Sequence, residues 1–371
     1  MVRFDPLASL KPHIRDLPPY EALEDLEELA AEYGFAPEDV LKLDGNENPF
    51  GPSPKALDAL HNGYGADRYA DAAQLRLRQG VSKYVGVPAE NIVAGAGSDE
   101  LIDLIFRLWV NPDDKVVTAG PTFGMYAFDS GLNGAELVDV PRMRDWSVEP
   151  DALLGAAIEA KAVFLASPNN PTGNLLQPEL LDALLLTGAL IVLDEAYIEF
   201  ADAESMAVRA ASEPALIVLR TFSKWGGIAG MRVGYAVGVA ESVDVMLRAK
   251  QPYNISAASQ AAALASLEDI EVLNERARVL VAERERMAEA MRHAEWLEPF
   301  PSEANFLLVR VLDGRSGREV SEALRQHGIF VRTYGSQRLE DCFRISMGTP
   351  SQNDRVIAAL AEIGAGQGAA T

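Results

Sequence analysis

The chain has 371 residues, of which 48% are hydrophobic, and a formal net charge of −22. This length exceeds what one typical domain needs, so we expect two unequal domains. The acidic charge disfavours nucleic acid as a partner, because phosphate backbones select basic surfaces. A single cysteine, Cys342, excludes an intrachain disulfide framework and favours a cytoplasmic location. We also expect no membrane partner and no metal site, because no apolar run approaches about 20 residues and the four histidines lie far apart.

The N-terminal segment is expected to carry an amphipathic helix. Apolar residues recur at helical spacing among acidic ones from Tyr20 to Tyr33. This apolar stripe could pack on its own domain or against a second subunit. The following segment, Asn48–Pro54, contains three prolines and is predicted to be a rigid loop.

Short apolar runs follow from about residue 90, and helical patterns separate most of them. Several runs are apolar on both faces, which is typical of buried strands in a parallel sheet. We therefore predict an α/β fold with a mainly parallel seven-stranded sheet covered on both sides. The predicted strands are 92–94, 116–118, 137–140, 162–165, 190–193, 216–219 and 233–237.

A second, smaller α+β domain is predicted after residue 255. It would contain helices over 256–267 and 270–294, a strand at 305–309, a helix ending near Gly328 and a strand at 342–347. The predicted division is an N-terminal arm with part of the small domain (1–45), a large domain (46–255) and a small C-terminal domain (256–371). The tail from Gly364 onward is predicted to be disordered.

Ligands of open α/β sheets bind at the carboxyl ends of the strands, so the residues there are candidate site residues. The glycine-rich turn 95–98 opens a predicted helix and could bind an anion, although such turns are common. Phe123 could stack on a flat ligand or simply cap the core. Asn170, in a loop fixed by two prolines, could direct a hydrogen bond or merely form a turn.

Two charged residues at strand ends are more informative. Asp194 follows four buried aliphatic residues, so it must be hydrogen-bonded, paired, facing a cleft or capping a helix. Lys224 follows the next apolar run, and Arg232 lies eight residues further on. Lys224 could lie at the surface, or it could be a desolvated amine with a lowered pKa that acts as a nucleophile.

Together these side chains match the requirements of pyridoxal phosphate. That cofactor needs an amine, a carboxylate at its pyridine nitrogen, donors for its ring oxygen, a flat group over the ring and an anion site. In that order, the chain offers Lys224, Asp194, Asn170 with Tyr197, Phe123, and the set Ser98, Ser223 and Arg232.

Six segments in the same order resemble the histidinol-phosphate aminotransferases, a class II family of fold-type-I pyridoxal-phosphate enzymes. They are 46–52, 68–71, 167–173, 194–200, 221–224 with Arg232, and 343–349. One departure is Ala70, where the family usually has proline. The loss of that φ constraint bears on how Tyr69 is aimed.

The resemblance implies a role for each cofactor residue. Lys224 would carry the cofactor as a Schiff base and shuttle a proton, while Asp194 would pair with the pyridinium. Asn170 and Tyr197 would hold the ring oxygen, and Phe123 would stack on the ring. Residues around the phosphate would be Gly97, Ser98, Asp99, Thr221, Ser223 and Arg232. Tyr69 would reach the cofactor phosphate of a neighbouring subunit, which implies a homodimer with shared sites.

The resemblance also implies the substrate site. Arg344 would bind a carboxylate and Arg332 a second anion, with Tyr20, Asn48 and Tyr253 lining the pocket. Arg338 is interpreted as a member of a surface salt bridge.

The expected reaction is transamination between L-histidinol phosphate and 2-oxoglutarate in histidine biosynthesis. An aromatic amino acid aminotransferase is the alternative, followed by a phospho-amino-acid decarboxylase. A non-catalytic sensor is disfavoured by the acidic charge.

Overall fold

The computed structural model describes residues 4–15, 17–19, 24–63 and 65–365. Its helices are α1 (Leu26–Tyr33), α2 (Pro54–His61), α3 (Leu75–Val85), α4 (Gly97–Trp109), α5 (Met125–Asn133), α6 (Pro150–Ala157), α7 (Pro178–Leu184), α8 (Ala207–Ala210), α9 (Ala240–Ala249), α10 (Ala257–Ser266), α11 (Ile270–His293), α12 (Gly317–Arg325) and α13 (Pro350–Ala365). Its strands are β1 (Leu41–Lys42), β2 (Ile92–Gly95), β3 (Lys115–Gly120), β4 (Glu136–Pro141), β5 (Ala162–Ala166), β6 (Leu190–Asp194), β7 (Leu216–Thr221), β8 (Gly234–Val237), β9 (Leu297–Pro299), β10 (Phe306–Val311), β11 (Ile329–Phe330), β12 (Arg332–Thr333) and β13 (Cys342–Ser346).

The larger sheet has seven strands in the order β2-β8-β7-β6-β5-β3-β4. Strands β3 to β7 run parallel to one another, and β8 is antiparallel to both β2 and β7. Successive residues of β5 face two different cores, Val163 and Leu165 on one side and Ala162 and Phe164 on the other. Burial of both faces explains why these strands are continuous apolar runs. The predicted α/β fold is confirmed.

A second, antiparallel sheet has the order β12-β13-β10-β9 and packs against α11 and α12. The N-terminal strand β1 pairs in parallel with β11, with Leu41 opposite Ile329. The N-terminal segment is therefore tied to the C-terminal part of the chain. The division into 1–45, 46–255 and 256–371 remains a prediction.

Two local expectations need correction. The helix predicted over 20–33 begins at Leu26 in the structure. The side chain of Asp25 caps it by accepting hydrogen bonds from the backbone N–H groups of Glu27 and Glu28. Residues 20–23 lie outside the described residues. At the other end, α13 continues to Ala365, so disorder from Gly364 onward was wrong for these two residues. Gly364 packs so closely on Trp296 that a Cβ there would lie 2.5 Å from the indole nitrogen. Across the described ranges, no helix has both the length and the apolarity to cross a membrane.

Candidate active site

The carboxyl ends of β3, β5, β6 and β7 open into a cavity of about 770 Å³. Parallel strands bring their carboxyl ends to one sheet edge, so residues distant in sequence meet there. Twelve of the side chains singled out from the sequence line its wall: Ser98, Asp99, Phe123, Asn170, Asp194, Tyr197, Thr221, Ser223, Lys224, Arg232, Arg332 and Arg344.

Lys224 lies just beyond β7, with its amine inside this cavity. Its Nζ donates a 2.8 Å hydrogen bond to the carbonyl oxygen of Gly45. Burial is the largest cause that lowers the pKa of Lys224, to about 8, and the positive charge of Arg344 is the second. An amine with that pKa is neutral in a useful fraction of molecules near neutral pH, which a nucleophile or base requires. Lys224 is the only lysine on the described wall of the cavity.

Asp194 ends β6 and is buried at the floor of the cavity. Tyr126 on α5 donates its hydroxyl hydrogen to Asp194 Oδ2 at 2.9 Å, and the backbone N–H of Ala196 donates to Oδ1 at 3.1 Å. Burial raises the pKa of Asp194 to about 6, against the lowering effect of both bonds. No cationic side chain of the described residues forms a salt bridge with Asp194, so a cationic ligand group could lower this pKa. Tyr126 was not predicted as a site residue, although it lies in the first turn of α5, three residues after Phe123.

The hydroxyl of Tyr197 accepts a 3.0 Å hydrogen bond from Asn46 Nδ2, and burial raises the pKa of Tyr197 to about 12. The hydroxyl therefore stays protonated near neutral pH and can donate a hydrogen bond. Asn46 is itself held by Ser346, whose hydroxyl donates to Asn46 Oδ1 at 3.0 Å. Asn46 begins the 46–52 segment that resembles the family, but no local pattern predicted its contact with Tyr197.

Arg344 and Asn170 also line the cavity and contact each other. One guanidinium nitrogen of Arg344 donates to Asn170 Oδ1 at 2.5 Å, and another donates to the carbonyl oxygen of Asp44. Arg344 Nε is buried and has no hydrogen-bond partner among the described residues. A buried donor without a partner is costly, so an anionic ligand that accepts from this side chain would be favoured.

An anion-binding corner is formed by the turn between β2 and α4. Gly97 has φ +83°, and a Cβ at this position would lie 2.4 Å from a guanidinium nitrogen of Arg232. Arg232 also contacts Asp99 at 2.9 Å and the Ser223 hydroxyl at 3.4 Å. Thr221 Oγ1 donates to Ser223 Oγ at 2.9 Å. Backbone amides at a helix start, two hydroxyls and an arginine suit a phosphate group.

The donor set fits pyridoxal phosphate on observations of this structure. At the anion-binding corner, Gly97 leaves a space that a Cβ would fill. A buried carboxylate that forms no salt bridge with a described cation lines the same cavity, at Asp194. The amine of Lys224 opens into the same cavity. These are the contacts that an anionic phosphate, a protonated pyridine nitrogen and an aldehyde need.

Several sequence-selected residues lie outside the described wall of the cavity. Tyr69 is 83% exposed and stacks on half-exposed Tyr253, with ring centroids 4.5 Å apart. Tyr20 lies outside the described residues. Asn48 is buried, and its Nδ2 donates to the backbone carbonyls of Lys224 (3.2 Å) and Trp225 (3.1 Å). Its amide therefore supports the Lys224 backbone. The substrate contact expected for Asn48 stays a prediction.

The interpretation of Arg338 as a salt-bridge residue was wrong. Its guanidinium donates to the backbone carbonyls of Gly120, Arg142 and Met143 and lies over the ring of Trp146, at 5.2 Å from the centroid. Carbonyl oxygens and an aromatic face satisfy the cation in place of a carboxylate.

Comparison with known proteins agrees with this geometry. The family described as aminotransferase class I and II matches residues 38–360. A histidinol-phosphate aminotransferase of Roseiflexus castenholzii is 44% identical over 95% of this chain and 98% of its own length. Histidinol-phosphate aminotransferase 1 of Arabidopsis thaliana, a chloroplastic protein, is 41% identical over 95% of this chain and 85% of its own length. The crystal structure of histidinol-phosphate aminotransferase from Sinorhizobium meliloti in complex with pyridoxal-5'-phosphate superposes with a TM-score of 0.88 and 31% identity, covering 97% of this chain and 98% of that one.

Proposed function

Because this chain belongs to the class I and II aminotransferases, and within them to the histidinol-phosphate aminotransferases, we propose that it transfers an amino group between L-histidinol phosphate and 2-oxoglutarate in histidine biosynthesis. The products are imidazole-acetol phosphate and glutamate, and the cofactor is pyridoxal phosphate. The observation that carries this proposal is the presence of the Lys224 amine and the buried Asp194 carboxylate in one cavity. They match the two ends of that cofactor.

When bound, pyridoxal phosphate supplies an electron sink for the substrate carbon that loses its proton. The amine of Lys224 is the group that would hold the cofactor aldehyde, and it would then accept and return the proton. Asp194 would keep the pyridine nitrogen protonated, while Tyr197 and Asn170 would hydrogen-bond the ring oxygen. Phe123 would cover the ring.

The phosphate would lie in the corner formed by the 97–99 turn, Thr221, Ser223 and Arg232. The pair Arg232–Asp99 has side chains that are 47% and 41% exposed, so the guanidinium can accept a second anionic partner at little cost.

Two arginines would give the site its preference for anionic substrates. Arg332 and Arg344 lie opposite each other in the β12–β13 pair and both line the cavity. The phosphate of histidinol phosphate and a carboxylate of 2-oxoglutarate would use this end in turn, because a guanidinium recognises either group through paired hydrogen bonds. Tyr20, Asn48 and Tyr253 would complete the substrate pocket, and Asn48 would also support the Lys224 backbone.

The active unit would be a homodimer. Exposure of the Tyr69–Tyr253 pair supports this, because a stacked aromatic pair on the surface is typical of an interface. Tyr69 would then contact the cofactor phosphate of the neighbouring subunit. The three-part domain division and a cytoplasmic location belong to the same proposal.

Covalent attachment of the cofactor is the direct test. The wild type is mixed with pyridoxal phosphate and reduced with borohydride, and its intact mass is measured by mass spectrometry. We expect one added cofactor per chain for the wild type and for Lys161→Ala, an exposed matched control, and none for Lys224→Ala. Attachment to the Lys224→Ala protein would contradict the assignment.

The substrate is tested by a screen of single half-reactions. Cofactor-loaded protein is mixed separately with histidinol phosphate, glutamate and phenylalanine, and the change in cofactor absorbance is followed. Histidinol phosphate should react fastest. A clear preference for phenylalanine would indicate the aromatic aminotransferase, and release of carbon dioxide without a keto acid would indicate the decarboxylase.

A further inference from the structure

Strand β2, which leads into the anion-binding corner, lies at the edge of the larger sheet. Strand β2 has β8 on one side and no strand of the described residues on the other. The side chain of Gln74, only 1% exposed, takes the place of a neighbour. Gln74 Nε2 donates to the carbonyl oxygen of Ala94 at 2.9 Å, and the N–H of Ala94 donates back to Gln74 Oε1 at 3.2 Å. One side-chain amide thus satisfies both backbone groups of Ala94.

A second amide extends this contact across the turn. Asn254 accepts a 2.8 Å hydrogen bond from Gln74 Nε2. Its own Nδ2 donates to the carbonyl oxygen of Ala94 at 3.2 Å and to Glu100 Oε2 at 2.8 Å. The same carboxylate oxygen of Glu100 accepts the backbone N–H of Ala96. We name Gln74, Glu100 and Asn254 the Asn254 cluster.

The Asn254 cluster holds the residues on both sides of Gly95, immediately before the amides of Gly97 and Ser98. Glycine restricts its own backbone less than any other residue, so a turn with Gly95 and Gly97 needs support from outside. A turn that is already ordered pays less conformational entropy when an anion binds to its amides. Outside support of this kind therefore increases affinity for the anion.

The segment that carries Asn254 is itself well anchored. Lys250 Nζ is buried and donates to the carbonyl oxygens of Ala72 (2.9 Å), Gln251 (3.2 Å) and Pro252 (3.3 Å). It also donates to Asn254 Oδ1 at 3.3 Å. Because its Oδ1 accepts from Lys250 and Gln74, the Nδ2 of Asn254 must point to Ala94 and Glu100. The donor direction that supports the turn is therefore fixed by the neighbours of Asn254.

We propose that Asn254, acting through Glu100 and Ala94, is a positioning residue that keeps the 95–98 turn ready for the phosphate of the cofactor. Asn254 does not line the cavity and would touch neither cofactor nor substrate. The inference rests on the proposed use of pyridoxal phosphate. It adds a group that neither the motifs nor the cavity wall identifies.

The test compares the cofactor with pyridoxal, which lacks the phosphate. Asn254→Asp replaces the donor Nδ2 with an oxygen that faces the Glu100 carboxylate and the Ala94 carbonyl. We expect the dissociation constant of pyridoxal phosphate to rise about tenfold and that of pyridoxal to change less than about twofold. Both constants come from absorbance titrations of the cofactor-free protein, so no turnover is needed. Asn62→Asp, on an exposed helix end, is the control for the added charge.

A swapped pair provides the rescue. In N254D/E100Q the side-chain amide at position 100 can donate to the carboxylate at position 254. The amide oxygen at position 100 can still accept the Ala96 N–H. We expect this double variant to recover most of the tenfold loss. If Asn254→Asp does not fold, Gln74→Glu takes its place, because it keeps the acceptor for Ala94 N–H and removes the donor to Asn254.

Each outcome has a defined meaning. An equal loss for pyridoxal phosphate and pyridoxal would overturn the proposal, since it would indicate general destabilisation of the fold. No change in either constant would overturn it too. Failure of the wild type to bind pyridoxal phosphate at all would instead contradict the proposed function, so the two failures are distinguishable.

Discussion

Tyr126 donates its hydroxyl hydrogen to Asp194 Oδ2 across 2.9 Å, and both side chains are buried. Tyr126 lies on α5 and Asp194 ends β6, and the two residues are 68 positions apart. This bond lowers the pKa of a carboxyl group that burial raises to about 6. The tyrosine therefore helps to keep Asp194 ionised at neutral pH, as a partner of a protonated pyridine nitrogen must be.

Replacing this tyrosine should shift the pH dependence of cofactor binding. Without the cofactor, Asp194 is ionised only above about pH 6, so affinity for pyridoxal phosphate should rise between pH 5 and pH 7. Tyr126→Phe removes a lowering hydrogen bond and should move this rise upward by up to about one pH unit. Absorbance titrations at pH 5 to 8 measure the shift. An unchanged midpoint would show that the bond does not tune Asp194.

Asp129 on α5 should reduce stability at alkaline pH. Burial raises the pKa of its carboxyl group to about 7, with the charges of Asp103 and Asp99 adding to the effect. The folded state therefore favours the protonated form of this carboxyl group. The resulting stability is fully present below the unfolded-state pKa of about 4 and is lost as the pH rises through 7. Asp129→Asn cannot ionise, so relative to the wild type it should gain on the order of 2 kcal/mol at pH 8 and almost nothing near pH 4.

Urea unfolding at both pH values tests this prediction. The control is Asp58→Asn, an exposed position on α2, which should change the free energy of unfolding little at either pH. A gain for Asp129→Asn that is equal at pH 4 and pH 8 would contradict an ionisation effect.

The buried ion pair of Arg220 and Glu199 should be important for stability. Arg220 Nη2 lies 2.6 Å from Glu199 Oε1, and both side chains are 7% exposed. Arg220→Met leaves buried carboxylates without their cation and should cost about 3 kcal/mol of unfolding free energy. Arg209→Met, at a largely exposed ion pair with Asp182, should cost less than about 1 kcal/mol.

A double variant separates charge from packing at this position. R220M/E199Q removes the unpaired Glu199 charge and should recover part of the loss in urea unfolding. If R220M/E199Q is no more stable than R220M, the arginine acts through packing on Tyr84 and Tyr235.

Mixed dimers test whether Tyr69 serves a neighbouring subunit. Tyr69→Phe and Lys224→Ala are each expected to lower activity, the first about tenfold and the second almost completely. If the two variants exchange subunits, each mixed dimer has one site with an intact Lys224 and a Tyr69 supplied by its partner. Activity of the mixture should therefore exceed that of either variant alone. No recovery after proven exchange would place Tyr69 in its own subunit's site.

The sequence by itself determined the fold and identified twelve of the side chains that line the cavity. Runs such as 162–165 and 190–193 are apolar on both faces, which is typical of a sheet covered on both sides. Residues that directly follow such runs meet at one sheet edge. This is why Lys224, Asp194 and Asn170 could be selected before the structure. Motif order identified Ser223 and Arg232 in the same way.

Only the tertiary structure decided what those side chains bond to. Asn46 meets Ser346 across 300 residues, Tyr126 reaches Asp194 across 68, and Asn254 reaches Glu100 across 154. Local sequence patterns encode periodicity and turns, whereas hydrogen-bond partners depend on how separate elements cross in space. For that reason Asn48 could be selected but its contact with the Lys224 backbone could not, and Asn254 carried no local sequence pattern.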